Sequence, residues 1–342
     1  MKSLSKPLPE EALVNPESLA LAIREGCQRI TLEEQNLLGE FWLSCLVDWR
    51  GIPSPEMRAM FGQSLALLNW DNRPGVGLRS DGLPDIAWGN EIQPGKYRLG
   101  DENECYLPLQ VYELERPYRL AKYPITYHQY RAFLLAEDGN SNDRWWIELS
   151  PPQTDLADTW WVGLSVSQEE MAEPQFRYKG HPQQGGSWYQ AMAFTRWLSD
   201  RYQTSGLIPR DNEIRLPTEQ EWEIGARYPD GRQYPWGDEY QSGYANIDER
   251  LCGGPYYVGT TTPVGMYPQG RNPESDLYDM SGNVWEWCLS EFEHPRGEEL
   301  GIWRVLRGGT CFYDAECAKP AFRDHHLQRN TVGLAGFRVG LF

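Results

Sequence analysis

The first seventy residues carry apolar positions at helical spacing. In "PESLALAIREGCQRI" Leu19, Ile23 and Cys27 recur every four residues, on one face of a helix. "TLEEQNLLGEFWLSCLVDW" follows, with Thr31 as N-cap and Glu34 three residues on, the pattern of a capping box. Pro53 and Pro55 break that helix, "SPEMRAMFGQSLALLNW" resumes it, and "DNRPGVG" stops it. Residues 1–80 therefore read as a helical N-terminal segment for docking or support, since no polar residues converge in it.

Beyond residue 80 the periodicity changes. Gly, Pro and Trp become dense, and only three further stretches keep a helical register. They are "YPITYHQYRAFLLAE", with Tyr127, Tyr130, Phe133 and Leu134 in register, and "GGSWYQAMAFTRWLSDRYQ", capped by Ser187. The third is "EIRLPTEQEWEIGARYP", where Thr218 starts the helix and Glu221 completes a capping box. The rest is loop and short strand. Residues 81–342 thus predict an α+β domain of short strands, two to three helices and much irregular chain, not an alternating βαβ one.

Composition narrows the function classes. Apolar residues make up 40% and aromatics 13% of the 342 residues, enough for a packed core. The net charge of −17 argues against nucleic acid or an anionic membrane surface as partner. No stretch approaches the roughly 18 apolar residues of a membrane span, and "MKSLSKPLPEEALVNPESL" has no apolar h-region. The seven Cys form no CxxC pair, so a disulfide framework or zinc cluster is not expected, and a reducing cytoplasm is.

A chain of motifs then points to a family. "HPQQGGSWYQAMAFTRWLS", "IRLPTEQEWEIGAR", "YPWGDE", "ANID", "TTPVGMYPQGRNPESDLYDMSGNVWEW", "RVLRGGT" and "GFRV" occur in this order. Together they resemble the formylglycine-generating-enzyme (sulfatase-modifying factor) family, over about residues 83 to 342. The resemblance implies a variant of the C-type lectin fold. It leaves three functional classes, because a fold does not specify a function.

The first is a copper oxidase. Its relatives hold copper(I) between two thiolates, in keeping with the softness of the ion, in a Cys-x4-Cys arrangement four residues after the glycine pair. Those positions here are Tyr313 and Ala318; Cys311 and Cys317 lie nearby but out of register, on one face if the segment is a strand. The iron-dependent sulfoxide synthases of the family take His ligands mostly from an N-terminal helical bundle, whereas residues 1–80 contain no His. His325 and His326 are adjacent and would point to opposite faces of a strand.

The second class is a binding protein, resembling the variable proteins of diversity-generating retroelements, which embed mutable residues between fixed "RVLRGG" and "GFRV" pieces. In that branch the mutable positions take residues encoded by NNY codons. From Cys311 to Ala335 only Glu316, Lys319 and Gln328 fall outside that set. This reading makes 304–340 the terminal binding segment. Arg307, Gly308, Gly309, Phe337 and Arg338 are its scaffold, and Phe312, Tyr313, Asp314, Glu316, Phe322, Asp324, His325 and His326 are its ligand-binding face. A protein ligand or partner chain is the expected partner. The third class is a sensor or accessory subunit, because "RPGVGLRSDGLPDI" resembles the lead-in of modules beside bacterial protease or NTPase domains. No GxxxxGK[ST] loop is present, so its effector would be a separate protein.

The resemblance also implies a calcium that braces a loop. A side-chain oxygen, two carbonyls and a Glu would hold it at Asp279, Gly282, Val284 and Glu286, a donor set suited to a hard cation. The family's second calcium position matches only at Asn246 and Ile247, its Asp aligning with Tyr256.

Overall fold

A computed structural model describes residues 12, 15–25, 28–47, 54–68, 70–102, 108–147, 149, 179–293 and 302–342. The N-terminal helices are α1 (Pro16–Arg24), α2 (Leu32–Val47) and α3 (Pro55–Leu67). At the start of α2 the Thr31 amide donates to Glu34 Oε2 at 2.9 Å and the Glu34 amide donates to Thr31 Oγ1 at 3.2 Å, the expected reciprocal cap. Their apolar faces meet one another and do not stop there. Leu19, Trp42, Phe61 and Leu65 share a core with Met266 and Tyr267. Gly62 makes this approach tight: a Cβ there would lie 2.6 Å from Met266 Sδ. Arg58 donates to the Gly243 carbonyl at 3.0 Å, so the helices are seated on the loops of residues 243–267.

In the remainder, α4 (Tyr127–Leu135), α5 (Trp188–Thr204) and α6 (Glu219–Arg227) each begin with a full capping box. Gln129 and Gln190 serve in the first two, where a Glu-based reading of the sequence sees none. The strands are short: β1 (Gly95–Leu99), β2 (Gln110–Leu114), β3 (Arg119–Leu120), β4 (Ile214–Arg215), β5 (Trp285–Glu291), β6 (Trp303–Arg307), β7 (Arg323–Leu327), β8 (Ala335–Gly336) and β9 (Gly340–Leu341). β1 and β2 form an antiparallel pair, β9 lies between β3 and β4, and the largest sheet has the order β7-β6-β5-β8.

That sheet is covered on both faces. Trp285, Trp287 and Leu306 pack with Phe194, Trp197 and Phe337 on one side. Cys288 and Val305 pack with Trp222 of α6 on the other. Alternation along β5 and β6 sends successive side chains to the two cores. The architecture is the α+β one expected, and the terminal segment is woven into it: β6, β7 and β8 join the large sheet, and β9 closes the small one.

Candidate functional site in the terminal segment

The flanks of 304–340 are fixed from below. Gly308 and Gly309 have φ of 96° and 76°, a left-handed backbone that favours glycine. A Cβ on Gly309 would lie 2.8 Å from the Cys317 carbonyl oxygen. Just before them, the fully buried Arg307 guanidinium pairs with Glu223 and donates to the carbonyls of Ala321 (2.7 Å) and Phe322 (2.9 Å). At the far flank, Arg338 is buried against Glu286, and Phe337 sits edge-on to Tyr130 and Phe194.

Between the flanks, residues 311–321 fold mainly as turns, not as a strand. The two-residue alternation that would put Cys311 and Cys317 on one face therefore does not apply. The Asp314 side chain organises the turn by accepting from the amides of Glu316 and Cys317, both at 3.1 Å. The Asp248 amide donates to the Tyr313 carbonyl at 2.9 Å, and Tyr234 Oη donates to the Ala315 carbonyl at 3.2 Å. Ala315, Ala318 and Ala321 are buried beneath the turn.

The residues expected on the binding face separate into three groups. Tyr313 and Phe322 both lean on the Trp285 ring, with centroids at 5.8 Å and 6.0 Å. Burial raises the Tyr313 phenol pKa, and the nearby Asp324 carboxylate raises it further, so Asp324 belongs with this group. Phe312 turns instead toward Tyr257 at 6.4 Å, whose ring carries the Arg250 guanidinium at 3.6 Å. Arg250 is held there by both oxygens of Asp248, each at 2.8 Å.

The third group lies across the sheet. In β7, Asp324 sits opposite Leu306 and His325 opposite Val305, which places them over different cores. The His325 ring stacks flat on Phe292 at 3.9 Å and 4°, with Trp303 edge-on at 5.3 Å. It is a half-buried ring stacked on one aromatic neighbour, set apart from the Tyr313 and Phe322 group. His326 pairs across the strands with Arg304, and Glu316 forms an ion pair with Lys319 at 2.7 Å. Tyr257, Arg250, Phe292 and Trp303 were not legible beside this segment, because long-range folding brings each to it.

The two thiols sit in surroundings that disfavour the thiolate. Burial pushes the pKa of Cys311 up to about 12. Cys317 reaches about 12 through burial and then through the facing carboxylates of Asp314, Glu316 and Asp324. Burial, and at Cys317 the neighbouring carboxylates, thus disfavour the thiolate, which is the nucleophilic form. Alkylation of the folded protein at pH 7.5, read by peptide mass spectrometry, should label the exposed Cys252 well before either of them. Faster labelling of Cys311 would show an activated thiol. Among the described residues, no group of three or more His, Cys, Asp and Glu side chains could hold a metal ion.

As folded, the expected calcium ligands also fit poorly. Glu286 Oε2 accepts from Trp222 Nε1 (2.8 Å) and Arg338 Nε (2.6 Å), and Oε1 accepts from an Arg338 terminal nitrogen at 2.6 Å. A cation would have to sit beside that guanidinium or displace it. The Gly282 carbonyl accepts from the Val284 amide at 3.0 Å, and Asp279 Oδ2 accepts from the Gly265 amide at 2.7 Å. Burial raises the Asp279 carboxyl to about 6, with Glu286 adding to the effect. The Arg338 guanidinium thus occupies both Glu286 oxygens that a calcium would use.

Short strands around a doubly covered sheet, three capped helices and a C-terminal segment fixed at both flanks define a formylglycine-generating-enzyme-type α+β domain. The chain belongs to the family described as "Sulfatase-modifying factor enzyme 1-like domain", which matches residues 90–340. It is 34% identical over 176 residues to the serine/threonine-protein kinase pkn1 of Chlamydia pneumoniae, covering 48% of this chain and 24% of that protein. It is 34% identical over 180 residues to the formylglycine-generating enzyme of Streptomyces coelicolor, covering 46% of this chain and 52% of that one. These matches thus span about half or less of the relatives' length. Among solved structures, PvdO from Pseudomonas aeruginosa superposes with a TM-score of 0.53 at 20% identity, over 79% of this chain and 99% of that one. No helix among the described residues is long and apolar enough to cross a membrane.

Proposed function

We propose that this chain is a non-catalytic binding protein that holds a protein ligand or partner chain on the aromatic face of its terminal segment. One observation carries the reading. Phe312 and Tyr313, adjacent in sequence, remain 45% and 43% exposed on a turn whose backbone is tied down on every side. Large rigid aromatics gain contact area at low entropy cost, and neighbouring short polar groups such as Asp324 add adaptable hydrogen bonds. The negative charge of the chain favours a protein over nucleic acid as the ligand.

The residues outside the NNY set support a division into scaffold and display. Gln328 is buried and donates to Tyr189 Oη at 2.6 Å while accepting from Arg304 Nε at 3.2 Å. Lys319 and Glu316 pair with each other. Of the three, Gln328 bonds to the scaffold and carries a residue that such diversification would not produce. A reverse transcriptase gene beside a template repeat of residues 304–340 would mark the segment as diversified. The surroundings of Cys311 and Cys317, which disfavour the thiolate, support binding over oxidation. A separate effector protein is one partner this surface would serve, and the free cysteines among the described residues suit a reducing cytoplasm.

The test is a crosslinking capture in the source cells with the wild type and a Phe312→Ala/Tyr313→Ala variant. A partner retained by the wild type and lost by the variant at unchanged melting temperature is expected. Stoichiometric copper in the purified protein, lost on substituting either Cys311 or Cys317, would overturn the binding-only reading.

A further inference from the structure

The N-terminal helices reach the terminal segment through a single loop. α3 begins at Pro55 directly over Gly243, where a Cβ would lie 3.5 Å from Pro55 Cγ and 3.4 Å from the Tyr256 ring. Gly243 has φ of 78°, so the close approach and the left-handed backbone both call for glycine. The buried Arg58, one turn into α3, donates to the Gly243 carbonyl at 3.0 Å. Gln269 Nε2 donates to the same oxygen at 2.7 Å.

The amide of Gly243 is held from the opposite side. It donates to Glu249 Oε1 at 2.6 Å, as does Tyr240 Oη at 2.6 Å, while Ser242 Oγ donates to Oε2 at 2.7 Å. Glu249 is fully buried, and its own amide donates to the Tyr256 carbonyl at 3.1 Å. It opens a 3₁₀ turn (Glu249–Cys252) capped by Asp248, whose side chain accepts from the Arg250 amide at 3.1 Å. Asp248 is also where the loop meets the terminal segment. Its amide donates to the Tyr313 carbonyl, and its carboxylate holds the Arg250 guanidinium over the Tyr257 ring beside Phe312. Gly243 thus links a cation of α3 to the carboxylate that organises the loop under the displayed turn. Buried hydrogen bonds joined in a chain strengthen one another, so loosening one link loosens the next.

We propose that Arg58 is a positioning residue for the binding face: from α3 it anchors the 243–257 loop, and the loop fixes the backbone that presents Phe312 and Tyr313. The N-terminal helices are then part of the binding apparatus, and whatever shifts α3 shifts the face. This rests on the reading of Phe312 and Tyr313 as that face. Its test reads the order of the turn with no ligand present, so either can fail without the other.

Amide hydrogen exchange of the full chain, followed residue by residue by NMR, provides that test. In Arg58→Met the amides of Gly243, Asp248, Glu249 and Tyr313 should exchange about tenfold faster, the effect of one lost charge-assisted hydrogen bond. Those of β5 and β6 should keep their wild-type rates. Ile208→Val, which trims the core around Phe194 and Trp197, should lower the melting temperature and leave those four amides unchanged. Faster exchange confined to Gly243 would overturn the proposal. So would a uniform rise across the chain, the mark of a general loss of stability. The wild type gives a second reading that needs no substitution. In urea below the unfolding transition, α3, residues 243–257 and Tyr313 should open together as one unit, ahead of β5 and β6. Opening of α3 that leaves Asp248 and Tyr313 protected would equally overturn it, because the face would then stand without the helices.

Discussion

Replacing Arg338 by Met should destabilise the protein by about 3–5 kcal/mol, a large share of what a domain of this kind has. The Arg338 side chain is fully buried. It places Nε and one terminal nitrogen on Glu286 at 2.6 Å each; that same terminal nitrogen also donates to the Tyr278 carbonyl (2.9 Å), and the other donates to the Ala121 carbonyl (3.0 Å). Removing the guanidinium strands a carboxylate that is itself buried, leaving it the Trp222 Nε1–H at 2.8 Å. It also leaves two carbonyls without these donors. The penalty comes mainly from the charge left behind, so Glu286→Leu/Arg338→Met should recover part of the loss. Urea denaturation of both variants reads this directly. A loss below about 1 kcal/mol for the single substitution would mean that the carboxylate has found water or a cation, and would reopen the calcium reading at Asp279 and Glu286.

Much of the fold could be read along the chain because its signals are local. A capping box needs residues three apart, so Thr31 with Glu34 and Thr218 with Glu221 are visible in the sequence and present in the structure. The motif order from "HPQQGG" to "GFRV" carries the architecture for the same reason, since each motif keeps its own turn or cap. The site was less legible because its contacts are not local. Nothing near His325 announces Phe292, which reaches it only because β5 and β7 flank β6. Asp248 and Tyr257 meet residues 313 and 312 from a loop lying far earlier in the chain. Strand alternation did separate His325 from His326 correctly, yet it misled for Cys311 and Cys317, where Asp314 bends the chain into turns.

Phe337→Ala should cost about 3–5 kcal/mol, whereas Tyr313→Ala should change stability by about 0.5 kcal/mol or less. Phe337 is 3% exposed and wedged between Tyr130 and Phe194, with centroids at 6.2 Å and 5.4 Å. Truncation opens a cavity in the aromatic core under α4 and α5, and rigid rings cannot collapse to fill it. Its carbonyl accepts from the Ile125 amide at 2.8 Å, so the backbone will hold the hole open. Tyr313 leans only on the edge of the buried core at Trp285 and keeps nearly half its surface in water. His325→Ala falls between them, at about 1 kcal/mol, because its stack on Phe292 is lost without opening the main core. A deep mutational scan of residues 304–340 scored for folding alone should reproduce this order. Tolerance should be high at Phe312 and Tyr313, intermediate at Phe322 and His325, and low at Arg307, Gly309, Phe337 and Arg338. If Phe312 and Tyr313 prove as intolerant as the flanks, the turn is part of the core and the binding surface must lie elsewhere.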